Sequence, residues 1–292
     1  MKGKDVPEKF SGEKGGGLTR SGKVKKHIIR IPAEVRCRIA LVSDLHNADG
    51  SRALKIIGEG SPDLIAVTGD LFMGYLPGGT RSLLETQPNI PAFVRGCVRI
   101  APTYISLGNH EWLASEKDLK ALTREGAVIL DNEWIEFTSA AILLGGLTSG
   151  MLTDFREFRK QMGKNVPYPH EVRHTNTIRI IPNAGWLDDF EEMQGYKILL
   201  CHHPEYWKLQ EPMLAERRID LVLAGHAHGG QIRILGRGLF APGQGVLPEY
   251  TGGLYRGRYG KMVVSRGLSN TAPWPIPRLF NPPEVVFVDL GQ

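Results

Sequence analysis

The chain has 292 residues, of which 41% are hydrophobic and 23% charged, so it can bury a sizeable core and does not have the composition of a disordered protein. Its net charge of +5 comes entirely from residues 2–26, which hold eight basic and three acidic side chains. The remaining body is neutral and lacks the basic surface of a nucleic-acid-binding domain, so no nucleic-acid partner is expected. Three cysteines at unrelated spacing, Cys37, Cys97 and Cys201, give no disulfide framework.

Residues 1–26 form a basic, glycine-rich leader with no periodic apolar pattern, and we expect this leader to be disordered. It lacks the apolar core of a signal peptide, and no apolar run in the chain approaches the roughly 18 residues that a membrane span needs. We therefore expect a cytoplasmic protein. Each basic residue near an anionic membrane contributes about 1 kcal/mol, so the leader could also provide a weak peripheral membrane contact.

After the leader, short apolar runs alternate with helical segments, which predicts one domain over residues 27–292 with a largely parallel sheet covered by helices. The predicted strands, in chain order, cover residues 38–42, 64–68, 103–107, 140–144, 196–200, 219–223, 261–265 and 284–290. Predicted helices cover residues 51–58 and 115–125. The last two strands have no strong helix between them, which suggests a second sheet packed on the first. Residues 149–195 have little periodicity and are predicted to form a surface insertion near the functional site.

Candidate chemical groups lie directly after five of the apolar runs. The motifs are Ser43-Asp44-Leu45-His46, Gly69-Asp70, Gly108-Asn109-His110-Glu111, Cys201-His202-His203-Pro204 and Gly225-His226-Ala227-His228-Gly229. Because parallel strands end at one edge of a sheet, these side chains can meet in a shared crevice. A single Asp or His at a strand end is more often a cap or a turn residue. Five such strand ends in one chain favour a common site.

The donor types in these motifs suit transition metals. Imidazole and carboxylate together accept manganese, iron, zinc or nickel, whereas magnesium and calcium sites are nearly all oxygen. Two cations about 3.5 to 4 Å apart need a bridging carboxylate to limit their repulsion, and Asp70 is the candidate. Two such ions acidify a bridging water, so that a metal-bridging hydroxide can attack a phosphoryl group near neutral pH. The motifs therefore predict a phosphoester hydrolase with two divalent metal ions, manganese being favoured.

The ordered set Asp-x-His, Gly-Asp, Gly-Asn-His-Glu, a strand-end His and Gly-His-x-His resembles the calcineurin-like metallophosphoesterases. Further segments resemble the bacterial branch that includes the YkuE- and YaeI-type phosphodiesterases: Gly229-Gly230-Gln231, Gly253-Leu254-Tyr255, Ser265-Arg266-Gly267 and Asn281-Pro282-Pro283-Glu284. The resemblance implies the metallo-dependent phosphatase fold. This is an α/β fold, a four-layer α/β/β/α sandwich of two mixed β-sheets flanked by helices.

The resemblance also implies a role for each site residue. Seven residues are implied to bind metal: Asp44, His46 and His228 on one ion, Asn109, His202 and His226 on the other, and Asp70 between the two. His110 is implied to be the catalytic residue that donates a hydrogen bond or proton to the leaving oxygen. Glu111 either orients His110 or is a carboxylate at a helix N-terminus. His203 is either a substrate contact or a turn residue before Pro204.

The expected substrate is a phosphodiester or a pyrophosphate, which could be linked to a lipid or a nucleotide. Relatives of this branch imply one specific alternative, a pyrophosphate hydrolase of the UDP-2,3-diacylglucosamine type in lipid metabolism. An alternative from another class is a metal-bound scaffold without catalysis. Four aromatic residues are either an apolar wall for a lipid or base, or packing residues: Tyr75, Trp112, Trp186 and Trp207.

Overall fold

Two six-stranded β-sheets form the centre of the protein. The computed structural model describes residues 23–73, 82–137, 141–150, 182–269 and 278–291. The strands are β1 Lys25–Ile31, β2 Cys37–Val42, β3 Leu64–Thr68, β4 Thr103–Ser106, β5 Val128–Leu130, β6 Glu133–Phe137, β7 Ile142–Leu147, β8 Tyr196–Cys201, β9 Leu221–Ala224, β10 Arg233–Ile234, β11 Arg237–Gly238, β12 Phe240–Ala241, β13 Gly245–Val246, β14 Gly253–Arg256, β15 Lys261–Val264 and β16 Glu284–Leu290. The helices are α1 Ser51–Gly60, α2 Asn89–Val98, α3 Glu116–Arg124 and α4 Leu187–Glu192.

Both large sheets are mixed. The first has the strand order β1-β16-β2-β3-β4-β5, and the second has the order β14-β15-β9-β8-β7-β6. In the first sheet the pairings are parallel except for that of β16 with β2. In the second sheet β15, β9, β8 and β7 are parallel, whereas the edge strands β14 and β6 are antiparallel to their neighbours. These two mixed sheets confirm the predicted fold class.

Strand residues alternate between two apolar layers because both faces of each sheet are covered. In β3, Leu64 and Ala66 belong to the layer between the sheets, together with Leu200 of β8. Ile65 and Val67 belong instead to the layer that packs the first sheet against α1, α2 and α3. A strand that is buried on both faces has a continuous run of apolar residues in its sequence. The predicted strand 64–68 therefore has the same bounds as β3.

The outer face of the second sheet has a thinner helical cover. Among the described residues this cover consists of α4 and two short 3₁₀ helices, Pro204–Trp207 and Leu214–Glu216. Tyr206 and Trp207 are fully buried there against the sheet. The result is the expected order of layers, helices, sheet, sheet, helices. No helix in the described ranges has the length and apolarity to cross a bilayer.

Two predicted boundaries need correction. Lys25 and Lys26 were assigned to the leader, but they lie in β1 and pair in register with Glu284 and Val285. The exposed lysines gave this edge strand no apolar pattern at its start. Residues 1–22 of the leader lie outside the described residues.

The predicted insertion also ends earlier than expected. Residues 151–181 lie outside the described residues, but Leu187 and Phe190 of α4 are buried in the core beneath the second sheet. The final part of the segment 149–195 is therefore part of the domain core.

Candidate metal centre

The loops that follow β2, β3, β8 and β9 are tied together by backbone hydrogen bonds. The amide of Asp44 donates to Gly69 O at 3.1 Å, and the amide of Gly225 donates to His202 O at 3.0 Å. The amide of His226 donates to Asp44 Oδ2 at 3.2 Å, which joins the loops of the two sheets. The strand ends of both sheets therefore form one site, as expected for carboxyl ends of parallel strands.

Close approach of these loops depends on glycine. A Cβ on Gly225 would overlap Ser43 Oγ, and a Cβ on Gly108 would overlap the Asp70 carboxylate. Both overlaps are with residues that flank or supply the candidate ligands. The glycines of these motifs are thus required by packing at the site.

Several candidate ligands have a left-handed backbone. Residues with positive φ include Asp44 at 54°, His46 at 46°, Asp70 at 54°, His226 at 64° and His228 at 46°. This conformation is uncommon outside glycine and persists only when the surrounding structure holds it. It turns the chain sharply after each strand, so that consecutive motif residues can point into the same crevice.

The first group of candidate ligands consists of Asp44, His46 and His228, whose ligand atoms lie within 4.8 Å of one another. Asp44 Oδ1 lies 3.9 Å from His46 Nε2 and 3.6 Å from His228 Nε2. All three residues are buried. Neither Asp44 Oδ1 nor His46 Nε2 has a hydrogen-bond partner among the described residues, which is costly for buried polar atoms without a ligand.

The second group consists of Asp70, His202 and His226, again within 4.8 Å. Asp70 Oδ2 lies 3.1 Å from His202 Nε2, and His226 Nδ1 lies 3.2 Å from the same nitrogen. Asp70 Oδ2 is also 3.9 Å from His46 Nε2 of the first group. Asp70 therefore stands between the two groups, where a bridging carboxylate would be needed.

Asn109 and His110 come from the loop after β4. The amide of His110 donates to Asp70 Oδ1 at 2.8 Å, and His110 Nε2 lies 3.8 Å from Asp70 Oδ2. Asn109 Oδ1 is buried and has no hydrogen-bond partner in the described part of the chain. The loop thus brings both residues to the aspartate, and their assigned roles remain predictions.

Backbone carbonyl groups set the orientation of four site histidines. His46, His110, His202 and His228 each place Nδ1 within 2.6 to 3.0 Å of a carbonyl oxygen, those of Phe72, Met73, Thr68 and Ser269 respectively. A carbonyl can only accept, so each Nδ1 carries a hydrogen and each Nε2 is the ring nitrogen that faces the site. His226 differs, because it turns Nδ1 towards His202.

Burial keeps three of the candidate histidine ligands neutral. It lowers the pKa of His46 to about 3 and lowers the pKa of His226 and His228 well below the usual range. A neutral imidazole is the form that binds metal. These side chains therefore need not lose a proton when an ion arrives.

His202 behaves differently from the other histidines. Burial alone would lower its pKa, but the carboxylates of Asp70 and Asp44 outweigh burial and raise the pKa of His202 to about 10. Burial also raises the pKa of Asp44 to about 6. The site thus holds a proton on His202 at neutral pH that a metal ion would have to displace.

The Glu111 carboxylate holds two loops together. It accepts backbone N–H groups from Gly108 at 2.6 Å, Asp70 at 3.0 Å and Leu71 at 2.8 Å. Gly108 precedes a 3₁₀ helix, so this supports the helix N-terminus interpretation of Glu111. The carboxylate is directed at backbone groups and not at the His110 ring.

His203 lies at the start of the 3₁₀ helix Pro204–Trp207, and its carbonyl accepts the amide of Tyr206 at 3.3 Å, which agrees with the turn-residue alternative. It is buried, its Nε2 lies 2.8 Å from Ser149 Oγ, and its Nδ1 lies 3.5 Å from Glu205 Oε2. Ring nitrogens of His203 and His226 and an oxygen of Glu205 lie within 4.8 Å of one another. Glu205 was not among the predicted site residues. Its position directly after His202-His203-Pro204 is the one sequence feature that could have indicated a place near the site.

Of the four aromatic residues that could form an apolar wall, two agree with the packing alternative. Trp207 is fully buried under the second sheet, and Trp186 stacks on Trp134 with ring centroids 5.8 Å apart. Both are packing residues. Tyr75 lies outside the described residues, and Trp112 lies half-buried in the 3₁₀ helix after Asn109.

Comparisons with known proteins find similarity over most of this chain. The family model described as calcineurin-like phosphoesterase matches residues 37–230, a range that contains every candidate ligand and His110. An uncharacterized metallophosphoesterase of Aquifex aeolicus is 26% identical over 285 residues, covering 92% of this chain and 91% of that protein. The uncharacterized metallophosphoesterase YkoQ of Bacillus subtilis is 24% identical over 216 residues, covering 69% of this chain and 64% of that protein.

The chain is also similar to solved structures at low sequence identity, with TM-scores below 0.5. A dimetal phosphatase from Danio rerio is 13% identical with a TM-score of 0.44, covering 79% of this chain and 87% of that chain. The protein TT1561 of Thermus thermophilus is 15% identical with a TM-score of 0.43, covering 80% and 90%.

Proposed function

Because this chain belongs to the calcineurin-like phosphoesterase family, we propose that it hydrolyses a phosphodiester or pyrophosphate bond with the help of two divalent metal ions. The observation that carries this proposal is the meeting of two ligand groups at Asp70. Asp70 Oδ2 lies 3.1 Å from His202 Nε2 of one group and 3.9 Å from His46 Nε2 of the other. The placement of the chain in the YkuE and YaeI branch stays a prediction.

The donor set fits transition-metal ions. Asp44 Oδ1, His46 Nε2 and Asn109 Oδ1 are buried atoms without a hydrogen-bond partner among the described residues, and a bound cation would satisfy them. Neutral imidazoles with two carboxylates favour manganese, iron, zinc or nickel, and we propose manganese. When bound, the ions would acidify a water molecule and neutralise the phosphoryl oxygens.

His110 has the geometry of a proton donor to the leaving oxygen. Its Nδ1–H donates to Met73 O at 2.9 Å, so Nε2 is the atom that faces the site and would carry the transferred proton. Its side chain is 20% exposed, whereas those of His46 and His202 are fully buried. A substrate can therefore reach His110 while the candidate ligands stay enclosed.

The test is turnover by the purified full chain loaded with manganese. Bis-p-nitrophenyl phosphate, p-nitrophenyl phosphate and a UDP-sugar lipid separate a phosphodiesterase, a phosphomonoesterase and a lipid pyrophosphatase. We expect metal-dependent hydrolysis of bis-p-nitrophenyl phosphate that falls at least 100-fold in Asn109→Ala, which removes a candidate ligand, and much less in His110→Ala, because p-nitrophenolate departs without a proton. Lys55→Ala, on the exposed side of α1, is the matched control and should not change the rate.

Two other results would redirect the proposal. The first is hydrolysis of the UDP-sugar lipid alone, which would favour the lipid-linked pyrophosphatase. A cleft of about 760 Å³, whose lining includes the apolar residues Ile234, Leu235 and Phe280, could hold its lipid part. Tight binding of a protein partner, with no turnover of any phosphoester, would favour the scaffold.

We propose separately that the basic leader contacts an anionic membrane surface. The basic charge of the leader supports this proposal. The chain continues from the leader into β1, and His27 of β1 lines the same cleft as the exposed apolar side chains of Leu235 and Phe280. Co-sedimentation with phosphatidylglycerol vesicles should fall when residues 1–22 are removed. Equal binding by both chains would reject this contact.

A further inference from the structure

Glu205 is a buried carboxylate that lacks a hydrogen-bond partner. It is 1% exposed, and neither of its oxygens accepts a hydrogen bond from the described residues. A buried, unpaired carboxylate is costly because it has lost its hydration. Its near neighbours include the rings of His203 and His226, within 4.8 Å. A proton donor on one or both rings would relieve this cost.

His226 is the site histidine whose ring is turned the other way. His46, His110, His202 and His228 fix their hydrogen on Nδ1 through a backbone carbonyl and present Nε2. His226 presents Nδ1, which lies 3.2 Å from His202 Nε2. If Nδ1 is to bind a metal, the hydrogen of the neutral ring must sit on Nε2. That hydrogen on Nε2 then needs a hydrogen-bond acceptor of its own.

Resting on the proposed function, we infer that Glu205 is a positioning residue that accepts the Nε2–H of His226 and so holds Nδ1 ready for a metal ion. Metal-binding histidines commonly donate their second N–H to a carboxylate, which fixes the tautomer and makes the ring a stronger ligand. Two carboxylates, those of Glu205 and Asp70, lie within 4.8 Å of His226, and Asp70 already contacts His202 Nε2 at 3.1 Å.

His203 completes the arrangement. Ser149 Oγ lies 2.8 Å from His203 Nε2 and can donate to it, which leaves the hydrogen on Nδ1, 3.5 Å from Glu205 Oε2. Glu205 would then accept one imidazole N–H on each oxygen. This arrangement gives His203 a role through Glu205, without contact to substrate.

A third cation among His203, Glu205 and His226 is the competing explanation. It would require His226 to bind metal through both nitrogens, and so to lose its only N–H. It would also need a lone pair on His203 Nδ1, and therefore a hydrogen on Nε2 that donates to Ser149 Oγ. The positioning role needs neither change.

The experiment measures metal affinity and stability in the full chain. Glu205→Gln and Glu205→Ala are titrated with manganese and zinc against a chromogenic chelator, and bound metal is counted by elemental analysis. We expect two ions in the wild type. One of them should bind about 10-fold more weakly in Glu205→Gln and about 100-fold more weakly in Glu205→Ala. After chelation, Glu205→Gln should unfold near the wild-type midpoint, because the amide has the same shape and keeps one oxygen as an acceptor.

Asp289→Asn is the matched control, since Asp289 is also a buried carboxylate. It pairs with Arg38 at the opposite end of β2 from the site. Its variant should lower the unfolding midpoint and leave both metal affinities unchanged. Wild-type affinity in Glu205→Gln, or a third bound ion in the wild type that Glu205→Gln loses, would overturn the inference. The readouts do not require turnover, so loss of the proposed activity would not be confused with failure of this role.

Discussion

His110 is the residue in the centre whose contribution should depend on the substrate. Its Nε2 faces the site and its side chain is partly exposed, so it can reach a leaving oxygen. A positioned acid typically contributes 10² to 10⁴ in rate, and it matters most when the leaving group is a poor one.

We therefore predict that His110→Gln lowers kcat by about 10² to 10⁴ for a diester with an alkoxide leaving group. The loss should be about 10-fold or less for p-nitrophenolate, which departs without a proton. The measurement is kcat against leaving-group pKa for a series of aryl and alkyl diesters. An equal loss across the whole series would contradict the proton-donor role.

His202 gives the centre a predictable response to pH. Asp70 and Asp44 raise its pKa to about 10 against the opposing effect of burial, so metal binding near pH 8 must release its proton. Affinity should then rise about 10-fold per pH unit between pH 7 and 9. Calorimetry in two buffers of different ionisation enthalpy counts the released proton. An affinity that does not change over this range would contradict the prediction.

The raised pKa of His202 should make the chelator-treated protein less stable as the pH rises. A raised pKa in the folded state stabilises the fold fully below the unfolded value of 6.5, and this contribution is lost as the pH rises through about 10. Unfolding midpoints of the chelated protein should therefore fall over the pH range in which metal affinity rises.

At the scale of elements, the loops after β2 and β9 pack so closely that one of them requires glycine. We predict that Gly225→Ala lowers the free energy of unfolding by about 1 to 3 kcal/mol and weakens metal binding, because its Cβ would overlap Ser43 Oγ. Ser43→Gly in the same chain should restore much of both losses. Urea unfolding and chelator competition on the two single variants and the double variant measure this coupling.

Gly58→Ala is the control for this cycle. Gly58 lies in α1, where an added Cβ would make ordinary contact with Ile100, so alanine should stabilise the helix by about 0.5 to 1 kcal/mol. A Gly225→Ala protein with wild-type midpoint and metal affinity would show that the loops can separate without cost.

The elements that could be predicted from sequence are those whose signal is local. β3 and β16 are buried on both faces and read as apolar runs with their observed bounds. α2 was missed because Pro91 and Gly96 weaken its helical pattern, although a proline is tolerated in a first turn. Burial of Phe93 and the rest of its apolar face against the first sheet stabilises this helix, and that contact is not visible in a single segment.

The candidate site follows the same rule. Each strand-end motif is a short continuous segment of the sequence, so its candidate ligands could be predicted. The reversed ring of His226 and the buried Glu205 depend on how distant loops pack, and no spacing encodes them. Glu111 lies between these cases, because its contact with Gly108 is local and its contact with Leu71 is not.

At the scale of the whole molecule, the candidate metal centre contains residues from both sheets. Asp44 and Asp70 follow strands of the first sheet, whereas His202, His226 and His228 follow strands of the second. Bound ions would therefore hold both sheets together at one end. A ligand that binds only the folded state stabilises it by about 2.7 kcal/mol at 100 times its Kd.

We predict that chelation lowers the thermal midpoint by about 5 to 10 °C, and that added manganese restores it. Scanning calorimetry with and without chelator measures the shift. His228→Asn, which removes a candidate ligand at the crevice, should shrink the shift. An identical midpoint for the chelated and loaded protein would show that the ions do not couple the sheets.

The position of β16 has a consequence for how the protein is made. This strand inserts between β1 and β2, so the first sheet has a gap until residues 284–290 have been synthesised. On the ribosome, one side of β2 would stay unpaired while residues 43–283 are synthesised. Any nascent chain stalled before residue 284 would present that open edge to chaperones and proteases. Assembly of the first sheet is thereby deferred until β16 has emerged.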